Sequence, residues 1–261
     1  MQGCKAYFPG RMVSKSQISL IKSLQQKKFR REHGLFVAEG YKSVSEFIAS
    51  GYHIHSLYHT SAVTAKLNKL SKKVNFQDIS AADLQKMSSL TTPQEVLAVI
   101  HIPEWPPLTQ SDLINRFTLV LDGVQDPGNL GTIIRTADWF GIQHIICSED
   151  TVDAYNPKVV QATMGSLSRI NLHYTDLATL LPQFNLPVLG AMLNGDNIYT
   201  ANLGTQGLIV MGNEGNGLRP DIQKLITQSI TIPRIGEAES LNVAIATALF
   251  CSEVSRRTFS K

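Results

Sequence analysis

One carboxylate, Glu214, stands inside Met211-Gly-Asn-Glu-Gly-Asn-Gly217, and one guanidinium, Arg135, follows Asp126-Pro-Gly-Asn-Leu-Gly131. A third string, from Ile230 to Leu249, carries Ile232-Pro233, Gly236, Ser240 and Asn242. Glycines beside a charged side chain let a ligand approach the main chain closely. An arginine can clamp an anion with two parallel hydrogen bonds. The Gly-rich string resembles a phosphate cradle, yet it lacks the Lys-Ser/Thr of a P-loop and the G-x-G-x-x-G spacing. Bland roles are open for each residue. Asn129 sits where an N-cap would be, and Ser240 is placed to cap a helix that opens Leu241-Asn242. Arg135 shares a side with Gly131 and Asp138, so a surface Arg135–Asp138 pair is the simple alternative.

Each string is an apolar run, then a loop of Gly, Asn and Pro, then a helix start. In an α/β sheet that strand end is where a ligand crevice forms. Three such loops predict one composite site. The elements needed to carry them alternate. Strands are expected at Phe117–Leu121, His144–Cys147, Ser168–His173, Val188–Met192, Leu208–Met211 and Ser229–Ile232. Helices are expected at Leu130–Phe140, Pro157–Gly165, Leu177–Gln183, Pro220–Ile226 and Leu241–Arg257. Such alternation implies an α/β fold with a largely parallel sheet covered on both faces. The last helix interleaves Ala244, Ala246 and Ala248 with larger apolar residues, which suits close packing inside the chain or against a second copy.

A smaller α/β pattern precedes it. An amphipathic helix over Ser16–Arg31 leads into a strand at Leu35–Ala38 and a helix at Tyr41–Ala49. A strand at His53–Tyr58, a helix near Ala62–Leu70 and a strand at Val96–Ile102 follow. Three prolines in His101-Ile-Pro-Glu-Trp-Pro-Pro107 read as a linker, placing a boundary between residues 1–104 and 105–261. Charge divides there too. Residues 1–104 hold 14 Lys and Arg against 7 Asp and Glu, or +7, whereas the remainder carries −4 of the total +3. Arg11 to Arg31 has seven basic residues and no acid, which points to a polyanion or to a solvated helix face.

Hydrophobic content of 43% supports real cores. No apolar run approaches the roughly 18–20 residues of a membrane helix, and MQGCKAYFPGR lacks the apolar core of a secretory signal. Cys4, Cys147 and Cys251 are too scattered for a disulfide framework and fit a reducing cytosol. A metal centre is not expected. His53, His55 and His59 come nearest to a ligand set, but their strand alternation favours surface or core placement.

In this order the strings N-L-G-x-x-x-R-T-A, G-N-E-G-x-G-L and I-P…E-S-L-N-V-A resemble the three signature motifs of SpoU-type RNA ribose 2′-O-methyltransferases of the SPOUT superfamily. The likeness covers the C-terminal domain, while Leu35-Phe-Val-Ala-Glu-Gly40 resembles the substrate-binding domain that many of these enzymes carry. It implies a C-terminal trefoil knot, an exception to ordinary chain connections. It also implies S-adenosylmethionine as cofactor, with Gly212, Ile232 and Leu241 lining its pocket, and a homodimer that uses the last helix. Asn129, Arg135, Glu214, Ser240 and Asn242 match the family's catalytic positions. Arg234 departs from the apolar residue that many relatives carry there.

The implied substrate is ribosomal RNA, with transfer RNA as the alternative. Rival readings are a non-catalytic RNA assembly factor and, more distantly, a nucleotide-using enzyme. Family proposals make the motif arginine a base. A guanidinium stays protonated, so Arg135 is expected to clamp an RNA phosphate. Asn129, Ser240 and Asn242 would then fix the ribose and pocket loops, and Glu214 would position Arg135 or a ribose hydroxyl.

Overall fold

A computed structural model describes residues 13–67, 69 and 76–259. The chain forms two compact units. The first runs to Pro103 and takes in Tyr155–Gln161; the second comprises Glu104–Ala154 and Ala162 onward.

The first unit contains α1 (Lys15–Ser23), α2 (Lys27–His33), β1 (Leu35–Glu39), α3 (Tyr41–Ala49), β2 (Ile54–His59), α4 (Thr64–Leu67), β3 (Phe76–Asp78), α5 (Ala81–Met87) and β4 (Val96–His101). Its sheet has the order β1-β4-β2-β3. β4 is antiparallel to both neighbours, and β3 is parallel to β2. Ile21 and Leu24 pack with Leu84 and Met87 over Leu35, Val37, Leu97 and Val99. On the other side Phe36 meets Phe47, Tyr52 and Tyr155 edge-on or tilted.

The helix expected over Ser16–Arg31 is two helices. Ser14 and Gln17 form a capping box that starts α1. Gln26 is extended, at φ −99° and ψ 134°, and this breaks the rise before α2. Arg30, only 2% exposed, sends Nη1 to the Leu24 and Gln25 carbonyls at 2.8 and 2.9 Å. Those carbonyls at the end of α1 have no intrahelical donors, so the arginine makes the break stable. One of the seven basic residues is therefore spent on structure. Lys15, Lys22, Lys27, Lys28 and Arg31 are exposed; Arg11 lies outside the described residues, as do Cys4 and part of the expected Ala62–Leu70 helix.

The chain then continues through α6 (Gln110–Leu113), β5 (Phe117–Leu121), α7 (Pro127–Trp139), β6 (His144–Ser148), α8 (Pro157–Thr163), β7 (Asn171–Thr175), α9 (Leu177–Leu180), β8 (Val188–Asn197), β9 (Gly207–Met211), α10 (Pro220–Gln223), β10 (Gln228–Thr231) and α11 (Val243–Phe259). The six-stranded sheet of the second unit has the order β10-β8-β9-β5-β6-β7, and every pair is parallel. β7 begins three residues later than expected. Gly165, at φ 99°, starts a 3-10 turn over Ser166–Arg169 instead. Central β5 and β9 are wholly apolar and buried apart from Phe117 and Thr118, as a strand covered on both faces requires. Because all strands run the same way, the loops after β5, β9 and β10 leave one edge of the sheet.

Cys147 and Cys251 are buried free thiols, and burial pushes the Cys251 thiol up to about 12. A thiol so rarely ionised is inert. Among the described residues no helix is long and apolar enough to cross a membrane.

Candidate active site

The end of β5 grips the loop after β9. Asp122 is 1% exposed, and its N–H donates to the Met211 carbonyl at 2.9 Å. Its carboxylate accepts from the Arg219 main-chain N–H at 2.8 Å and from Arg219 Nε at 2.6 Å. Burial works against the Arg219 charge, but Asp122, with Asp150 and Asp221 nearby, more than offsets it and raises the guanidinium further. Gly123, at φ 76°, donates to Ser148 Oγ at 2.8 Å and accepts from Asn213 Nδ2 at 2.7 Å. Asn213 Oδ1 in turn accepts from the Gly215 and Asn216 N–H groups at 2.9 and 3.2 Å. Paired main-chain bonds between Asn213 and Gly217, at 2.9 and 3.0 Å, close the turn. Glu214 is carried on its exposed side.

No larger residue fits at Gly212. A Cβ there would lie 2.4 Å from the Gly217 carbonyl carbon and 2.6 Å from the Leu218 nitrogen. Since both are backbone atoms, neither can swing aside. Gly212→Ala is therefore expected to displace the turn and weaken cofactor binding at least about tenfold, measured by titration calorimetry. Parent-like affinity in a folded Ala variant would show that the turn is not part of the binding surface.

α7 starts one turn earlier than expected. Its N-cap is Asp126, whose Oδ1 accepts the Asn129 N–H at 2.8 Å. Asn129 is thus inside the first turn, with its amide free for tertiary bonds. Asn129 Nδ2 donates to Glu214 Oε1 at 2.9 Å, and Asn129 Oδ1 accepts from Asn242 Nδ2 at 2.9 Å. The cap of α11 is likewise Asn242, not Ser240. Asn242 Oδ1 accepts from Ala244 and Ile245 N–H at 2.9 and 3.3 Å. Three residues from three distant strings therefore form one hydrogen-bonded chain.

Arg135 stands apart from that chain. Six residues beyond Asn129, it lies about 9 Å further along α7 and on another side of it. The expected partner Asp138 is held instead by Arg169, with contacts of 2.7, 3.0 and 3.1 Å. The Arg135 side chain is exposed, and no hydrogen bond or ion pair engages it among the described residues. Gly131, expected on that outer side, is buried against Ala162, whose Cβ would lie 2.4 Å from an added Cβ.

Beside the chain lies a cleft of about 770 Å³, lined by Gly212, Glu214, Ile232, Ser240 and Leu241 over a floor that includes Phe250. That volume is within the range of small-molecule and cofactor sites. Arg234 bends back over its own loop, donating from Nη1 to the Ala238 carbonyl at 3.2 Å. Of the eight positions singled out from sequence, five line the cleft; Asn129 is bonded to one of those five, Glu214, and Asn242 is bonded to Asn129. The motifs alone assign no role to Asp122, Asn213 and Arg219. The acid in Leu-Asp-Gly at the end of a buried strand is the signal that points to them.

Residues 116–252 match the SpoU rRNA Methylase family, and residues 15–98 match the MRM3-like substrate binding domain. The 23S rRNA (guanosine(2553)-2′-O)-methyltransferase RlmP of Bacillus subtilis is 31% identical over 87% of this chain and 91% of its own. A TrmH-family protein from Porphyromonas gingivalis is 40% identical with a TM-score of 0.86, covering 95% of this chain and all of its own. An AdoMet-bound rRNA methyltransferase from Sinorhizobium meliloti is 28% identical with a TM-score of 0.83, covering 94% and 97%.

Proposed function

This chain belongs to the SpoU rRNA methylase family, and on that footing we propose that it methylates a ribose 2′-hydroxyl of large-subunit ribosomal RNA from S-adenosylmethionine. The observation that carries this reading is the bonded chain Glu214–Asn129–Asn242 at the rim of the cleft. A protein that merely kept the fold has no need to hold three distant polar side chains in one register.

The residues present fit the cofactor. Gly212 brings main chain to the cleft wall with no room for a side chain. Ile232 and Leu241 offer apolar surface to a ring, beside the polar lining residues Asn213 and Thr231. When bound, the cofactor supplies a sulfonium methyl ready for displacement by a ribose 2′-oxygen. Catalysis then rests on alignment, which is worth several kcal/mol when reacting groups are held at attack distance, roughly 7–11 kcal/mol at the extreme. Glu214, fixed by Asn129, is placed to orient a ribose hydroxyl and is not free to position Arg135. Ser240 and Asn242 hold the loop that closes the cleft. Arg135 keeps its proton and offers its fork to an RNA phosphate.

Only RNA presents the 2′-hydroxyl. The exposed lysines of α1 and α2 add attraction for its backbone. Two further parts of the reading follow the family. The protein acts as a homodimer, supported by Ile245 on α11 and Leu241 just before it, 54% and 50% exposed. The segment after β10 threads a loop to form a trefoil knot. The reading also places the protein with ribosomes in the cytoplasm.

The test is twofold. Titration calorimetry should show stoichiometric S-adenosylmethionine binding. Mapping of 2′-O-methyl groups with and without the gene should reveal one missing ribosomal RNA site. Loss confined to transfer RNA, or no loss at all, would overturn the assignment.

A further inference from the structure

The first unit carries a group of rings that the methyl-transfer site leaves unused. His101 ends β4, His53 immediately precedes β2, and His55 lies within it. The His53 and His101 rings are parallel to within 13°, with centroids 4.4 Å apart; His55 flanks His101 at 5.6 Å. Main-chain bonds fix the arrangement, because His101 N–H donates to the His53 carbonyl at 3.0 Å. His53 and His55 are exposed and His101 is half-buried, so the stack presents its outer rings to solvent.

Such a group is an odd choice for structure alone. The buried rings of Phe36 and Phe47, with the half-buried ring of Tyr52, form this unit's aromatic core, whereas the outer imidazoles are left at its surface. Nor do they form a metal site, since no group of three or more His, Cys, Asp or Glu among the described residues could hold an ion. Burial lowers the His101 pKa, and the neighbouring His53 and His55 lower it further. Stacked imidazole rings with an open outer face present a flat π-surface to solvent. Phosphate attraction is available close by. Ile102 N–H donates to the Gly34 carbonyl at 2.8 Å, which joins the strand end beside His101 to the end of α2. That helix carries exposed Lys27, Lys28, Arg31 and His33, with Glu32 as its one acid.

We propose that His53, His55 and His101 form a stacking platform for an unpaired base of the RNA substrate, beside the basic side chains of α2 that meet its backbone. The proposal rests on the RNA methyltransferase reading and narrows it to a surface of the first unit. Proteins take hold of unpaired nucleotides by stacking them on aromatic and imidazole planes.

The test uses the full chain with the double substitution His53→Ala, His55→Ala. Binding is measured by fluorescence anisotropy to a short unstructured RNA and to a fully paired RNA duplex, across a salt series. Affinity for the single strand should fall about tenfold. Duplex affinity and S-adenosylmethionine affinity should stay within twofold, and the salt slope should be unchanged because no phosphate contact is lost. His53→Phe should restore single-strand binding. Unchanged single-strand affinity, or equal loss on both probes with a shallower salt slope, would overturn the platform. RNA binding is read without turnover, so the platform stands or falls even on an enzyme inactive in methyl transfer. Failure of the methyltransferase reading itself would instead appear as absent cofactor binding in the unsubstituted protein.

Discussion

Arg135→Lys is expected to lower the methylation rate about a hundredfold while leaving S-adenosylmethionine affinity within twofold of the parent. The charge survives this change, but the planar fork does not, and a point charge cannot hold a phosphate in one orientation. Arg135→Ala should cost more, about a thousandfold, because charge and fork are both lost. The structure makes the experiment clean. Arg135 is exposed, and its nearest sequence candidate for a partner, Asp138, is already bound to Arg169. Stability should therefore move by no more than about 0.5 kcal/mol. Single-turnover rates at saturating RNA, read beside RNA affinity, decide the matter. Near-full turnover with parent-like RNA affinity in the lysine variant would remove both the clamp and any role for this residue as a base.

Arg219→Ala should unfold more easily, by about 2 kcal/mol, and should bind cofactor weakly even when folded. Its partner Asp122 has a fully buried side chain, and removing one member of a buried pair leaves the other charge poorly solvated, typically at about 3–5 kcal/mol. The expected loss, about 2 kcal/mol, falls below that range because the Arg219 side chain is 44% exposed, which lets water replace part of the lost contact. The main-chain N–H of residue 219 also remains as a donor. What is lost besides stability is the anchor of the Gly212–Leu218 turn. A denaturant midpoint and a calorimetric titration separate the two effects. Arg219→Lys should recover much of the stability and little of the affinity. Parent-like values for both in the alanine variant would mean that the Arg219 side chain is not needed to hold the turn.

The parallel sheet was legible because its strands are short apolar runs bounded by glycine and proline, and the loops of the site stand out against them. Less visible were features decided by where a side chain reaches rather than by the pattern around it. Nothing local marks the break between α1 and α2, which depends on Arg30 folding back on the carbonyls of Leu24 and Gln25. Asp138 looked like a partner for Arg135 three residues away, yet Arg169 reaches it from 31 residues along the chain.

In the first and third strings two cap candidates lie within three residues of each other. Asp126 and Asn242 won over Asn129 and Ser240, and that choice frees Asn129 for the site. β3 and α5 leave little trace in the sequence. The first is a three-residue edge strand, and the second is a seven-residue helix marked chiefly by Ser80 accepting the Asp83 N–H. Elements so short carry too few residues for a period to show.

The hydrogen-bonded chain from α11 to Glu214 runs in one direction. The Ala244 and Ile245 amides can only donate, so Asn242 must give them its oxygen and turn its nitrogen to Asn129. Asn129 is then bound to offer its own nitrogen to Glu214. A carboxylate in either place runs against this polarity. At 129 it would set oxygen against the oxygen of Glu214, and at 242 it would face the oxygen of Asn129. Hydrolysis of either side-chain amide, the ordinary ageing of asparagine, thus removes a donor that no neighbour can replace. On the methyltransferase reading, deamidation at 129 or 242 is expected to lower methyl transfer while the fold persists, an outcome that mass and activity measurements on aged protein would check.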